Sequence, residues 1–237
     1  LRERQQPLEI CDNVTVLEIG PEDVHVRLVA SGVCHSDLSA QNGTLPGPVP
    51  CVLGHEGAGI VLEVGSAVRG LHSGDHVIAS FTPACGTCRR CLGGQPYLCE
   101  LMHGISQQTR FRIGQEEIAG FCGLGTFAEE MVVPAASLVA IPVDVPLHVA
   151  ALIGCGVTTG VGAALWTAEI QPGSSVLVIG AGGVGIAAIQ GARIAGAAEI
   201  LAVDMVEAKL AQARTFGATH AVLPDQLEEA KATLTGG

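Results

Sequence analysis

From Ser175 to Asp204 the chain runs from the apolar stretch SVLVI through a glycine turn and a helical segment to a second apolar stretch, EILAVD. Gly180, Gly182 and Gly185 make the pattern G-x-G-x-x-G, with Gly183 inside it. Few folds accommodate this order. A continuous apolar run suits a parallel strand covered on both faces. The glycines allow a tight turn, close backbone approach and close helix–strand packing. The pattern predicts a helix over Val184–Ala195 closed near Gly196, and another over Val206–Phe216 closed by Gly217. His220–Leu223 reads as a third strand. This alternation is that of a doubly wound α/β sheet.

In that context the turn is expected to bind a dinucleotide. A helix N-terminus presents free amides to a pyrophosphate. Asp204 ends the second strand nineteen positions after Gly185. A carboxylate there accepts the ribose hydroxyls and repels a 2′-phosphate. The expected cofactor is therefore NAD, held through Gly180, Gly182, Gly183, Gly185 and Asp204, with Lys209 along the same ribose edge. A complete doubly wound domain has about six strands. Three are read here, and the chain starts at Leu1, so it is expected to be part of a longer protein.

The first half is β-rich. Alternation over Val24–Ala30 and Ile60–Val64, with short runs at Val77–Ser80 and Met131–Val133, predicts strands punctuated by turns such as GTLPGPVP. Alanine becomes frequent after Leu147, and a boundary near Cys155–Gly160 divides the chain into 1–156 and 157–237.

Cys85, Cys88, Cys91 and Cys99 lie in CGTCRRCLGGQPYLC, a C-x2-C-x2-C-x7-C spacing. Four clustered thiolates on a glycine-containing loop suit a closed tetrahedral zinc site. An iron–sulfur cluster is the runner-up, although the ferredoxin run has a shorter last spacing and a following proline, where this chain has Glu100. Disulfides are the third reading, weakened by an odd count of nine cysteines. Cys11, Cys51 and Cys122 read as buried small residues. With 48% hydrophobic residues the chain can form a sizeable core. Its net charge of −11 argues against nucleic acid and anionic membrane surfaces. The longest apolar stretch, Val176–Ile189, is glycine-broken and too short to span a bilayer. A soluble cytoplasmic protein is expected.

Three further fragments are informative together: GVCHSD with Cys34 to Asp37, GHEGAG with His55 and Glu56, and GCGVTTG with Cys155. Gly54 to Val68 reads G-H-E-x2-G-x5-G-x2-V. With the four-cysteine lobe, and in the same order, this resembles the zinc-containing alcohol dehydrogenases of the medium-chain dehydrogenase/reductase family. The resemblance implies a GroES-like catalytic domain followed by a Rossmann domain, here partial. It implies two zinc ions per chain. Cys34, His55 and Cys155 would hold a catalytic zinc with one open position, and Cys85, Cys88, Cys91 and Cys99 a structural zinc. The catalytic zinc would lower the pKa of a bound alcohol hydroxyl, and once its proton has left, the carbon bearing that oxygen would give hydride to NAD. Cys155, where related polyol dehydrogenases often carry a carboxylate, points to the alcohol dehydrogenase branch.

The resemblance also implies roles for neighbours. Ser36 passes the substrate proton toward the cofactor ribose, His35 faces the cofactor pyrophosphate, Asp37 orients His55, and Glu56 lies behind the zinc. Leu45 and Phe81 take apolar substrate-pocket positions. Ser39 stands where many members have a relay histidine, so a shorter proton route is expected. The expected function is reversible oxidation of a primary or secondary alcohol, in a homo-oligomer, dimer or tetramer. One alternative is a formaldehyde dehydrogenase acting on a glutathione or mycothiol adduct, for which Arg110 and Arg112 are the nearest basic residues. Another is a non-catalytic zinc-stabilised scaffold.

Overall fold

A computed structural model of the chain describes residues 1–100 and 108–235. These fall into two compact units, Leu1–Cys155 and Gly156–Gly237.

Unit one holds the strands β1 (Val14–Val16), β2 (Asp23–Gly32), β3 (Cys51–Val52), β4 (Glu56–Val64), β5 (His76–Ala79), β6 (Thr109–Ile113), β7 (Glu116–Gly120), β8 (Glu130–Pro134) and β9 (Leu138–Ile141). Its helices are α1 (His35–Asn42), α2 (Arg89–Leu92) and α3 (Leu147–Ala150). Five strands form an antiparallel sheet in the order β8-β2-β4-β5-β9, and four form a second sheet, β1-β6-β7-β3. The alternation in β2 works as the sequence suggests: Val24 and Val26 are fully buried. They pack with Val61, Val77, Phe111, Leu124, Met131 and Val133 in one apolar core.

The β2–β4 pairing fixes the geometry that matters later. Two register shifts, at His25/Val26 and Leu28/Ala30, bring Ser31 opposite Gly57 and Gly32 opposite Glu56. The end of one strand thus meets the start of the other. Extra residues of this kind bend a strand and re-aim its side chains.

Unit two continues with α4 (Gly156–Gly162), β10 (Ser175–Ile179), α5 (Gly183–Ile194), β11 (Glu199–Val203), α6 (Glu207–Thr215), β12 (His220–Val222) and α7 (Leu227–Thr235). The three strands are parallel, in the order β10-β11-β12. Small residues let helices approach closely: a Cβ on Gly160 would overlap the Val184 carbonyl and crowd Ala187.

Two sequence expectations need correction. The apolar run of β10 is not covered on both faces: Leu177 is 42% and Ile179 75% exposed. Among the described residues β10 pairs only with β11, so it is an edge strand with a partner on one side. Of the three scattered cysteines only Cys51 is fully buried; Cys11 and Cys122 are half-buried. Cys122 borders the small core of Ala40, Cys51, Leu53 and Phe121, in a left-handed backbone conformation at φ 55°.

Phe111 is 1% exposed, and a Cβ on Gly125 would strike its ring. Phe111→Ala should therefore lower the stability of unit one by about 3–5 kcal/mol, because the surroundings cannot collapse fully into the cavity. Urea unfolding checks this; a loss below about 1 kcal/mol would show that the core is loosely packed there.

Candidate metal centres and dinucleotide turn

Helix α1 starts immediately after Cys34, which caps it in extended backbone at φ −108° and ψ 154°. Asp37, in the first turn, is 4% exposed and acts on three groups. Its Oδ2 accepts the Cys34 backbone N–H at 3.0 Å. Its Oδ1 accepts the Gly54 N–H at 3.0 Å and faces His55 Nδ1 at 3.3 Å. One carboxylate thus ties the α1 cap to the segment entering β4. His55 is 2% exposed, held edge-on by Phe81 at 5.6 Å and Phe121 at 5.4 Å between ring centroids. Phe81 was expected near the site; Phe121 carried no signal in the sequence.

The result is a donor cluster. One ligand atom each from Cys34, His55, Glu56 and Cys155 lies within 4.8 Å of the others. Burial pushes the Cys34 thiol up, but hydrogen bonds with the Ser36 backbone and side chain and with His55 leave it below the ordinary cysteine value. Burial would lower His55, yet its bonds to Asp37 and Cys155 outweigh that and raise it to about 10. The His55 bond pulls Cys155 down, while burial and the charges of Cys34 and Glu56 leave it raised. Two cysteine sulfurs, an imidazole and a carboxylate gathered in one small space form a donor set that suits a divalent cation, whose binding would release the thiol protons. The Asp37 carboxylate behind His55 Nδ1 is the arrangement that fixes a ligating histidine.

The neighbours divide. Ser36 Oγ accepts from the Cys34 thiol at 3.6 Å. His35 is exposed at the start of α1. Leu45 is 39% exposed in the following loop, its amide bonded to the Ser39 carbonyl.

The second cluster is self-contained. The sulfurs of Cys85, Cys88, Cys91 and Cys99 lie within 4.8 Å of one another, with no disulfide among them. Cys85 and Cys91 Sγ are 3.9 Å apart. The edge of a tetrahedron with metal–sulfur bonds of about 2.3 Å is about 3.8 Å, so the spacing suits zinc. Backbone amides of Thr87 and Cys88 donate to Cys85 Sγ, at 3.4 Å and 3.2 Å. With the Thr87 hydroxyl as the largest contributor, these bonds bring Cys85 down to about 6. Loss of hydration and the neighbouring thiols push Cys91 up to about 12.

In unit two Gly180 has φ 95°, and a Cβ on Gly185 would overlap the Gly180 carbonyl. Gly182 caps α5 and is exposed with Gly183; a Cβ on either meets nothing within 4 Å, so this face of the turn is open. Asp204 Oδ2 accepts the Ala181 N–H at 2.8 Å and Oδ1 the Val206 N–H at 2.9 Å. These amides, with Lys209 Nζ at 3.9 Å, hold the Asp204 carboxyl below its usual range. The carboxylate therefore sits beside the glycine turn and stays ionised at neutral pH.

Residues 20–143 match the family described as alcohol dehydrogenase GroES-like domain, and residues 183–237 match zinc-binding dehydrogenase. Alcohol dehydrogenase B of Mycobacterium tuberculosis is 44% identical over 224 residues, covering 90% of this chain and 60% of that protein. The S-(hydroxymethyl)glutathione dehydrogenase of Saccharomyces cerevisiae is 42% identical over 231 residues, covering 94% of this chain and 60% of that protein. The crystal structure of an alcohol dehydrogenase zinc-binding domain protein from Burkholderia ambifaria superposes with a TM-score of 0.92 at 36% identity, over 100% of this chain and 66% of that one. The chain spans about 60% of the length of the curated relatives it matches. On the family matches and the fold, the chain belongs to the zinc-containing alcohol dehydrogenases of the medium-chain dehydrogenase/reductase family.

Proposed function

We propose that the protein is a zinc-dependent oxidoreductase that moves hydride reversibly between a primary or secondary alcohol and NAD. The observation that carries this reading is the convergence of Cys34, His55, Glu56 and Cys155 within 4.8 Å, with Asp37 bonded behind the histidine. Residues 1–156 are read as the catalytic domain with its four-cysteine lobe, and 157–237 as the first part of the NAD domain. Cys34, His55 and Cys155 would hold a catalytic zinc, and Cys85, Cys88, Cys91 and Cys99 a structural one. Bound zinc supplies Lewis-acid activation of the alcohol hydroxyl.

The chain's own groups do the rest. Asp37 fixes the tautomer and direction of His55. Ser36 Oγ, at the edge of the donor set, receives the hydroxyl proton and passes it on. Ser39 cannot titrate near neutral pH, so the onward route runs through water or another group and is shorter. Phe81, against the His55 ring, and Leu45, exposed on its loop, are assigned to the apolar wall for the substrate. Gly180, Gly182, Gly183 and Gly185 receive the pyrophosphate, with His35 facing it as well, and Asp204 with Lys209 the adenosine ribose.

All nine cysteines are free, which suits a reducing compartment, and we assign the protein to the cytoplasm. Among the described residues no single helix is long and apolar enough to cross a membrane. A homo-oligomer, dimer or tetramer, is the expected assembly.

The adduct reading draws support from the 42% identity to a S-(hydroxymethyl)glutathione dehydrogenase. The two arginines considered for it are already engaged. Arg110 is 7% exposed and lies 3.6 Å from Asp23, and Arg112 pairs with Glu117 at 2.7 Å. Neither offers a free cation to a bulky anion. Turnover of the whole protein with ethanol, benzyl alcohol and thiol–formaldehyde adducts decides between the readings. The simple alcohols are expected to give the higher kcat/KM; a clear preference for an adduct would overturn that.

Metal analysis of the purified protein should give two zinc ions per chain, matching the two donor groups. Cys34→Ser should leave one and abolish hydride transfer, whereas Cys88→Ser should leave one and lower the melting temperature. A wild-type count of one, with the fold intact, would favour the scaffold reading.

Asp204→Asn keeps the shape of the side chain and removes its charge. NAD affinity should fall about tenfold or more, the scale of a lost charge-assisted hydrogen bond, and the preference over NADP should narrow. Because the Asp204 carboxyl is held low, wild-type affinity should be full and flat above the ordinary carboxylate range. It should be lost as pH falls through the depressed value. Calorimetric titration with both cofactors checks this; an unchanged NAD to NADP ratio would remove Asp204 from the ribose.

A further inference from the structure

The segment Gly125–Thr126–Phe127 has no role in the proposed chemistry, yet it packs against the segment Leu53–His55 that enters β4. The Thr126 N–H donates to the Gly54 carbonyl at 3.0 Å, and the Phe127 N–H to the Leu53 carbonyl at 2.9 Å. Thr126 is 1% exposed. Its Oγ1 lies 2.7 Å from Ser31 Oγ, near the end of β2 and three positions before Cys34. The Ser31 hydroxyl has one further bond, a long one of 3.3 Å to the Gly32 carbonyl.

The surroundings leave this pair little freedom. A Cβ on Gly54 would press on Thr126 Oγ1 at 2.6 Å, and one on Gly57 would meet Thr126 Cγ2 at 2.7 Å. Both positions must be glycine for the threonine to sit where it does. Gly57 is also the register partner of Ser31. Thr126 therefore touches two of the three segments that carry donor atoms, those of Cys34 and His55. It holds the His55 side through its backbone and the Cys34 side through its hydroxyl. Thr126 is buried and Ser31 half-buried, so separating the pair is costly chiefly on the Thr126 side, whose hydroxyl would lose its partner away from water.

We propose that the Ser31–Thr126 hydroxyl pair, anchored by the buried Thr126, is a latch setting the spacing between the Cys34 and His55 segments, which makes Thr126 a positioning residue for the Cys34–His55–Cys155 donor set. The proposal rests on the zinc reading above. It predicts that the hydroxyl matters separately from the volume of the side chain. Valine fits the same space without the hydrogen bond; serine keeps the bond and loses a methyl group.

The test compares the wild-type protein with Thr126→Val, Thr126→Ser and Ser31→Ala. Zinc release to a chelator is followed, and the phase absent from Cys34→Ser is assigned to the Cys34–His55–Cys155 site. Thr126→Val is expected to speed that phase about tenfold, the scale of losing a group that orients a ligand, and to leave the four-cysteine phase unchanged. Ser31→Ala, which breaks the pair from the other side, should do the same, and Thr126→Ser should restore the wild-type rate. Wild-type release from Thr126→Val, or equal acceleration by Thr126→Ser, would overturn the latch. Hydrogen exchange on the zinc-free protein gives a reading independent of metal. Thr126→Val and Ser31→Ala should expose the amides of Ser31–Asp37 and Leu53–Gly57 together, and Thr126→Ser should not. Unchanged exchange in both would overturn the proposal. A wild-type protein that takes up a single zinc would sink the metal reading instead, and the exchange result would then decide the latch alone.

Discussion

The site depends on one carboxylate. Asp37 bonds the Cys34 amide, the Gly54 amide and His55 Nδ1 from within a nearly dry pocket. An unpaired buried charge costs several kcal/mol in effective terms, so these partners are required as much as they are useful. A helix cap, a strand entry and an imidazole orientation become one cooperative unit. Phe81 and Phe121 then both meet the ring edge-on, leaving His55 few alternatives.

Room for that arrangement comes from absent side chains. A Cβ on Gly32 would overlap the Glu56 carboxylate, and one on Gly54 would strike Phe127 and Thr126. Gly54 also has φ 91°, a conformation that L side chains rarely adopt. The glycines around GHEGAG are thus required by a close strand crossing at which acidic, aromatic and hydroxyl groups share one small volume. Substitution at Gly54 would disturb the metal donors without touching any of them.

Much of the fold was legible because it rests on local rules. The valine alternation in β2, the glycine turn before α5 and the glycine closing α6 each follow from short-range geometry. The two donor groups were legible as well, through spacing in the four-cysteine lobe and through resemblance for Cys34, His55 and Cys155. What escaped notice depends on long-range contact. Phe121 and Thr126 are distant in sequence from His55, and no local pattern marks them as its neighbours. The short pieces β3 and β9 lack the length to show a period. The exposed face of β10 ran against expectation because an apolar run reports what a strand can bury, whereas the elements packed on each face decide what it does bury: Val176 and Val178 meet the core of unit two, and Leu177 and Ile179 stay exposed. Arg110 and Arg112 looked available as cations; Glu117 is the register partner of Arg112 across β6 and β7, and Asp23, beside Arg110, comes from β2 in the other sheet.

Every donor of both metal clusters lies in Leu1–Cys155, whereas the glycine turn and Asp204 lie in Gly156–Gly237. The division separates two kinds of inheritance. If Asp204 selects the nucleotide as proposed, changes around it would retune which one is preferred and leave the sulfur and imidazole geometry untouched. If the Cys34–His55–Cys155 cluster takes the substrate as proposed, changes around it would retune substrate preference and leave Asp204 and the glycine turn as they are. A lineage built this way can exchange one chemistry for another in separate steps, each of which leaves a working half behind.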